Sequence, residues 1–420
     1  MGRQTGRRAF LSTVLTGSVA ALAGCGGEDG TGNGTEDGTE DGTDSPSDGS
    51  GNASSSGMDG SYPMFGGKPE RNGYLSEESG PDEPTEQWSV EFEPSFYNSP
   101  IVADGAIYQT SRDSETLYAI SAEDGSELWT YDLESTEIPA EPAVADGRVF
   151  VGGKVGKVHA IDAATGKREW VYDTGNSNFE TLRGPAVADE TLYVAKTNQG
   201  GANGKLVALD VSNGDIRWEH QEAIGIMSAP VVADGTVYFE DEGTLFAVNT
   251  DDGSEEWSKE ILTYLESDTT LLQRPVYHDG TLYAGGLGPY DGNGAGAVFA
   301  IDASDGSRIW RTEVDTDTRQ PAVDGDSVYI SGAEGQVFSL AADDGTIEWE
   351  VDANTERFSP TLTDEALYVS GDDNTVVSLD PTDGSEQWRF DTNGHPGEPV
   401  AVVDGTIYAS TYRGTVHRIE

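Results

Sequence analysis

Cations are scarce in this chain, 24 Lys and Arg against 76 Asp and Glu, so their placement is informative. Arg183, Arg274, Arg319 and Arg357 each fall within three residues before a proline that opens a repeated segment. Arg112, Lys154, Lys196 and Arg413 fall in loops midway through such segments. Gathered on one face, these groups would hold carboxylates or another anion through charge-assisted hydrogen bonds. The competing reading pairs each of them with a nearby acid, which only relieves crowding. Phe96, Tyr97, Phe179, Tyr290, Phe358 and Tyr412 fall in the same loops and would supply an aromatic rim.

Other reactive groupings fail on spacing. The five His (His159, His220, His278, His395 and His417) include no pair at metal-ligand spacing. His159 and His417 occupy equivalent repeat positions, which points to packing. Asp291-Gly292-Asn293-Gly294 has the oxygen-rich look of a calcium loop but lacks the spacing and terminal Glu of an EF-hand. No Gly-x-Ser-x-Gly elbow occurs, and the Gly-rich strings lie in turns and linkers, so no phosphate loop is expected. Cys25 is the single Cys, which excludes an intramolecular disulfide or a thiolate metal cluster. The expectation is no catalytic, cofactor-binding or metal residue.

The elements that position these loops follow from a repeat. Ala208-Leu209-Asp210-Val211-Ser212-Asn213-Gly214-Asp215-Ile216-Arg217-Trp218 has counterparts at Ala119/Gly125/Trp129, Ala160/Gly166/Trp170, Ala247/Gly253/Trp257, Ala300/Gly306/Trp310, Ser339/Gly345/Trp349 and Ser378/Gly384/Trp388. Of the eight Trp, only Trp88 is left over. A period of about 40 residues calls for a repeat architecture. Each unit opens on a proline (Pro100, Pro142, Pro185, Pro230, Pro275, Pro321, Pro360, Pro399) and reaches an aromatic-centred strand after a tight turn such as Asp104-Gly105. Proline is tolerated as the first residue of a strand, and Asp-Gly supplies the positive φ that tight hairpins need. Each unit is expected to be a four-stranded antiparallel meander, A-B-C-D, and the whole an all-β propeller.

The blade count rests on the ends. Gly414-Thr415-Val416-His417-Arg418-Ile419-Glu420 aligns with Gly243-Thr244-Leu245-Phe246-Ala247-Val248-Asn249, after which strand D is missing. Gln87-Trp88-Ser89-Val90-Glu91-Phe92 reads as a strand D without its A, B and C. The N-terminal strand is therefore expected to complete the C-terminal blade, giving eight blades and no open sheet edge. In such a meander the A-B and C-D turns share one face. The B-C loops and D-A connections share the other, and that face holds the longer segments 174–183, 198–204, 261–274 and 287–297. Variable loops on a rigid scaffold are where binding usually sits.

Upstream of the repeats, Gly6-Arg7-Arg8-Ala9-Phe10-Leu11 resembles a twin-arginine export motif, and the apolar run after it is too short to span a bilayer. Leu22-Ala23-Gly24-Cys25 resembles a lipobox, which implies lipidation at Cys25; an uncleaved anchor helix is the alternative. Residues 26–60 are nearly all Gly, Thr, Ser, Asp, Glu and Asn and cannot bury enough apolar surface to fold. As a coil of ~35 residues they would reach about 30–35 Å, a tether that carries both Asn-x-Ser/Thr sequons, Asn33 and Asn52. A formal charge of −52 argues against nucleic-acid binding and implies self-repulsion in dilute buffer that molar salt would screen. This composition resembles that of proteins from salt-loving archaea; an acidic exported protein from an ordinary habitat is the alternative.

The A-x-D…G…W pattern resembles the pyrroloquinoline-quinone-type repeat (PQQ-like) β-propeller family. Ser61-Tyr62-Pro63-Met64-Phe65-Gly66-Gly67 and Arg71-Asn72-Gly73 are similar to the lead-in of many members. The resemblance covers residues 61–420 and implies an eight-bladed ring in which Trp88, Trp129, Trp170, Trp218, Trp257, Trp310, Trp349 and Trp388 dock between blades. Ser121, Asn249 and Ala341 depart from the Asp of the pattern, and Ala341 should leave the least well-capped turn. Within the family, the lipobox and plain repeats place the chain nearer the outer-membrane assembly factor-like lipoproteins than the quinoprotein dehydrogenases. The reading is a signal peptide (1–25), a tether (26–60) and a propeller (61–420). It would be a monomeric, lipid-anchored, non-enzymatic module on the outer face of the cytoplasmic membrane, binding a protein or peptide. The candidate ligand-face residues are Arg183, Arg274, Arg319, Arg357, Lys154 and Lys196. Alternatives are a PQQ-dependent dehydrogenase with PQQ and calcium, or a carbohydrate- or solute-binding protein.

Overall fold

Tight Asp-Gly turns with both residues at positive φ give five of the eight sheets their inner hairpin. Asp104, Asp146, Asp234, Asp279 and Asp404 adopt φ between 41° and 51°, each followed by a Gly at positive φ, so strand B folds straight back on strand A. In the computed structural model the described residues are 61–420 apart from 94, 97, 112–113, 134–139, 153–155, 175–179, 183, 199–203, 224–227, 242, 262–270, 288–295, 356–357 and 398. The twin-arginine motif, Cys25, the tether, Arg112, Lys154, Arg183, Arg357, Tyr97, Phe179, Tyr290 and the Asp291 loop lie outside them.

The protein is an eight-bladed β-propeller of four-stranded antiparallel blades, with no α-helix among the described residues. Blade 1 comprises Ile101–Ala103, Ala106–Thr110, Thr116–Ser121 and Glu127–Asp132 as strands A to D. Blade 2 comprises Ala143–Ala145, Arg148–Gly152, Lys157–Asp162 and Arg168–Asp173, and blade 3 Ala186–Ala188, Thr191–Asn198, Gly204–Asp210 and Ile216–Ala223. Blade 4 is Val231–Ala233, Thr236–Asp241, Thr244–Asn249 and Glu255–Glu260; blade 5 is Leu271–His278, Thr281–Leu287, Gly296–Asp302 and Arg308–Val314. Blade 6 is Ala322–Val323, Ser327–Ser331, Gln336–Ala341 and Ile347–Asp352; blade 7 is Thr361–Thr363, Leu367–Gly371, Thr375–Leu379 and Glu386–Asp391. Blade 8 takes A, B and C from Ala401–Val403, Thr406–Ser410 and Thr415–Ile419, and D from Glu86–Glu91.

The closing ladder runs from the mutual Thr85–Glu420 bonds through Trp88↔Arg418 and Val90↔Val416 to the Phe92 N–H on Gly414 O. His417 Nδ1 lies 2.8 Å from Glu86 Oε1 across the same seam. Strands B and C are largely buried, because neighbouring blades cover both faces of each sheet, whereas strands D are largely exposed.

Every Trp is a bolt into the next blade. The eight indole Nε1–H groups donate at 2.7–3.1 Å to the carbonyls of Glu123, Ala163, Val211, Thr250, Ala303, Ala342, Pro381 and Pro81. Tyr238 and Tyr283 aim their hydroxyls at the same Ala303 and Ala342 carbonyls, so two rings of one blade converge on one turn of the next. A one-residue bulge precedes the Trp in each strand D; in blade 4, Ala247 faces Trp257 and Val248 faces Glu255, leaving Glu256 out of register. Such a bulge re-aims the side chain that follows.

The C-D turns are shaped to receive these rings. Asp162, Asp210, Asn249, Asp302 and Asp380 each accept a backbone N–H two or three residues on. Ala341 offers no such acceptor, though its carbonyl still takes the Gly345 N–H at 2.9 Å. Gly253 has φ +69°, and a Cβ there would lie 2.5 Å from the Trp218 ring. Gly253→Ala is therefore expected to cost about 2–3 kcal/mol through left-handed strain and ring displacement together. A denaturant melt in molar salt measures this, and a loss under about 0.5 kcal/mol, the range of an ordinary surface change, would show that the turn tolerates both.

Candidate functional site

Two regions could serve a ligand: the axial channel where the strands A converge, and the rim of B-C loops and D-A connections around it. The channel is occupied by the chain itself. The Tyr62 and Val102 backbones bond to each other in blade 1, and the Val144 N–H of blade 2 donates to Pro63 O. Val232, Tyr277, Val323 and Leu362, in blades 4 to 7, donate in turn to the carbonyls of Pro69, Glu70, Asn72 and Gly73. Tyr74–Leu75 then pairs parallel with Thr361–Thr363 of blade 7.

Arg71 serves blade 3, which, like blade 8, this sequence of backbone bonds skips. Its guanidinium donates to Gly184 O and Pro185 O at the head of blade 3, both at 3.0 Å, to Pro230 O of blade 4 at 2.8 Å, and to Phe65 O at 3.3 Å. Gln320 Nε2 donates back to Arg71 O. Burial pushes the Arg71 guanidinium down to about 10, with Glu141 pulling the other way. Burial raises Glu141, but Arg274 and Arg71 more than offset this and hold it below the usual carboxylate range. Tyr62, fully buried, is pushed up to about 12 by burial, against the bond it accepts from Gly66 N–H.

Past Leu75 the lead-in leaves the channel and runs outward between blades 7 and 8. Glu78 Oε2 accepts the Asp404 N–H, Gly80 lies against the Tyr368 hydroxyl, and Pro81 O takes the Trp388 indole. Residues 80–81 thus stand in for the C-D turn that blade 8 lacks.

The rim is built from D-A segments laid against the next blade's strand B: Phe96 bridges Ser111, Thr318 bridges Gly332, Thr355 bridges Gly371 and Pro396 bridges Thr411. Blades 3 and 5 extend this scheme. Glu180–Leu182 pairs with Lys196–Asn198, and Leu271–Gln273 pairs with Gly285–Leu287. Both blades carry strands B and C of seven or eight residues, against five or six elsewhere. Two longer hairpins therefore flank the short Asp241–Thr244 turn of blade 4.

Of the candidate cations, Lys196 lies on the blade 3 hairpin, opposite Lys205. Arg319 is half-buried on the connection into blade 6, and Arg413 is exposed on the blade 8 loop. Arg274 is drawn inward: it pairs with Glu141 at 3.2 Å and lies 4.6 Å over the Phe65 ring, so it seats the lead-in. The aromatic residues gather in two clusters on this face. Phe92, Phe96 and Tyr118 have centroids 5.6 Å apart, and His395 stacks on Tyr412 at 5.1 Å with Phe358 edge-on.

On the turn face a cleft of about 620 Å³ opens between blades 6 and 7, lined by Tyr74, Tyr329, Trp349, Asp324, Glu348 and Asp364 among others. Sequence reasoning missed it, because Tyr74 reaches it from the lead-in. Among the described residues no group of three His, Cys, Asp or Glu could hold a metal ion.

A family model described as outer membrane protein assembly factor BamB matches residues 80–223, 119–288, 178–320 and 294–420. The chain belongs to this family. The BamB of Yersinia pestis is 27% identical over 230 residues, 52% of this chain and 53% of that protein. The chain thus spans about half the length of that curated relative. The quinohemoprotein alcohol dehydrogenase ADH-IIG of Pseudomonas putida is 33% identical over 146 residues, 31% of this chain and 20% of that protein. Among solved structures, BamB from Moraxella catarrhalis superposes with a TM-score of 0.61 at 20% identity, covering 80% of this chain and 98% of that one. The Pseudomonas putida dehydrogenase gives 0.67 at 16% identity, covering 86% and 80%. These superpositions show the shared ring.

Dehydrogenase relatives raise the question of a quinone with its cation, and the described residues of this BamB-family ring do not fit one. The channel holds Tyr62, Phe65 and Arg71, all nearly inaccessible, and every Trp is committed to a neighbouring blade.

Proposed function

We propose that the chain is a non-enzymatic binding or scaffolding module that captures a protein or peptide through its B-C/D-A face. The observation that carries this is the contrast between faces. The C-D turns on one side repeat one geometry from blade 1 to blade 7, while on the other the blade 3 and blade 5 hairpins rise on either side of blade 4. Raised, variable elements on a rigid ring are a recognition surface. Membership in a family described by an assembly factor agrees with a protein partner. Lipidation at Cys25 after export directed by Arg7 and Arg8 would hold the module outside the membrane, with residues 26–60 as its tether. The acid-rich surface suits a salty medium, where repulsion is screened.

Surface cross-linking in molar salt followed by pull-down tests the reading. Charge reversal of Lys196, Arg319 and Arg413 together is expected to lower partner capture at least tenfold with an unchanged melt, and unaltered capture would refute this face. Arg274 is left out of the set because it seats the lead-in. Cys25→Ser is expected to move the protein from the membrane fraction to the soluble one; retention on membranes would refute the lipid anchor.

A further inference from the structure

We infer that residues 62–75 form a permanent internal plug that closes the axial channel to a quinone, or to any cofactor of that size. The quinone-dependent chemistry of the dehydrogenase relatives is then unavailable to this chain. A cofactor pocket has to enclose most of its ligand, commonly in several hundred Å³ of concave space with a few convergent polar groups. In a propeller the axial channel is where every blade could contribute such groups. Here those groups are already used.

Strand-A amides of blades 1, 2, 4, 5, 6 and 7 (Val102, Val144, Val232, Tyr277, Val323 and Leu362) each donate to a lead-in carbonyl. The head of blade 3 is held by Arg71. In blade 8, Pro399 O accepts the Ser99 hydroxyl and Val400 O the Thr361 hydroxyl. Among the described residues the strand-A heads of all eight blades thus meet the lead-in or each other, and Glu70 Oε2 and Gln320 Oε1 are the buried side-chain oxygens beside it that lack a partner.

The packing is equally closed. Tyr62 and Phe65 are at most 1% exposed, and Met64 joins Ala143 and Val187 in the cluster beneath blades 2 and 3. A Cβ on Gly66 would come within 2.9 Å of the Arg71 backbone, so the lead-in is folded tightly on itself. The ionic set at the centre, Glu141 between Arg71 and Arg274, is internally compensated. An anionic ligand would have to break that set to find a cation. The indole faces are taken as well, because the turn glycines of the next blade pack on the Trp129, Trp170, Trp218 and Trp310 rings so closely that a Cβ there would come within 2.7 Å.

Nothing in this inference depends on the identity of a protein partner, so the two can fail separately. Two measurements on the full chain in molar salt test it. Hydrogen exchange at Val102, Val144, Val232, Tyr277, Val323 and Leu362 is expected to be as slow as at strand-B amides such as Val149 and Val237. Exchange at these six a hundredfold faster than at strand B would mean an unseated plug and would overturn the inference. Titration with pyrroloquinoline quinone and calcium chloride, followed by equilibrium dialysis and tryptophan fluorescence, is expected to show no saturable binding. Uptake of one equivalent would overturn it even with the six amides protected.

Discussion

Deleting residues 86–92 is expected to cost the ring about 5–8 kcal/mol, from a ladder worth roughly 1 kcal/mol per net hydrogen bond and a docked Trp worth about 2 kcal/mol. That approaches the whole stability of a typical domain. Blade 8 would keep three strands, the edge of Thr415–Ile419 would face water, and Trp88 would vanish from its dock on Glu123 O. An uncovered edge recruits other chains, so concentration-dependent association should accompany a lower and broader urea transition. A peptide spanning residues 84–93 supplied in trans should restore much of the lost stability by strand addition. An unchanged urea midpoint would mean that this strand does not hold the ring shut.

Arg71→Met is the second large effect, about 3–5 kcal/mol, the usual cost of removing one partner from a buried ionic set. The change strips hydrogen bonds from the carbonyls of Gly184, Pro185, Pro230 and Phe65 and leaves Glu141 with Arg274 alone. The pH dependence identifies the mechanism. Glu141 titrates below its ordinary value in the folded protein, so its contribution is present above the unfolded carboxyl pKa of about 4.3. That contribution is lost as pH falls through the folded value. The gap between wild type and Arg71→Met should therefore be widest near neutrality and narrow below about pH 4. Glu141→Gln in the Arg71→Met background should recover about 1–2 kcal/mol. A gap that stays constant from pH 7 to pH 3 would remove Glu141 from the explanation.

The ring was legible because its signals are local and repeated. The Gly-to-Trp step, the opening prolines and the Asp-Gly turns each lie within one blade, and unmatched strands at the two ends showed how the circle closes. The bulge before each Trp escaped notice because an extra residue present in all eight copies leaves the repeat spacing unchanged. The segments Ser61–Gly67 and Arg71–Gly73 stand out in the sequence as a lead-in motif, yet their place in the channel cannot be read from it. Their partners lie 40 to nearly 300 residues away, and no periodicity links Arg71 to Pro185 or Gly73 to Leu362. Arg274 shows the same limit: position before a strand-A proline put it near the axis, but only Phe65 and Glu141 explain why it turns inward.

Repeat proteins gain and lose units easily, since each repeat touches only its neighbours. The lead-in removes that freedom here. Tyr62, Pro63, Pro69, Glu70, Asn72 and Gly73 meet blades 1, 2, 4, 5, 6 and 7 in order, with Arg71 reaching across for blade 3. A ring with one blade duplicated or deleted would shift every later partner out of step with this short segment. The first stretch of the propeller domain thus acts as a gauge of blade number, making the count of eight a heritable constraint that a pairwise-stacked array would lack.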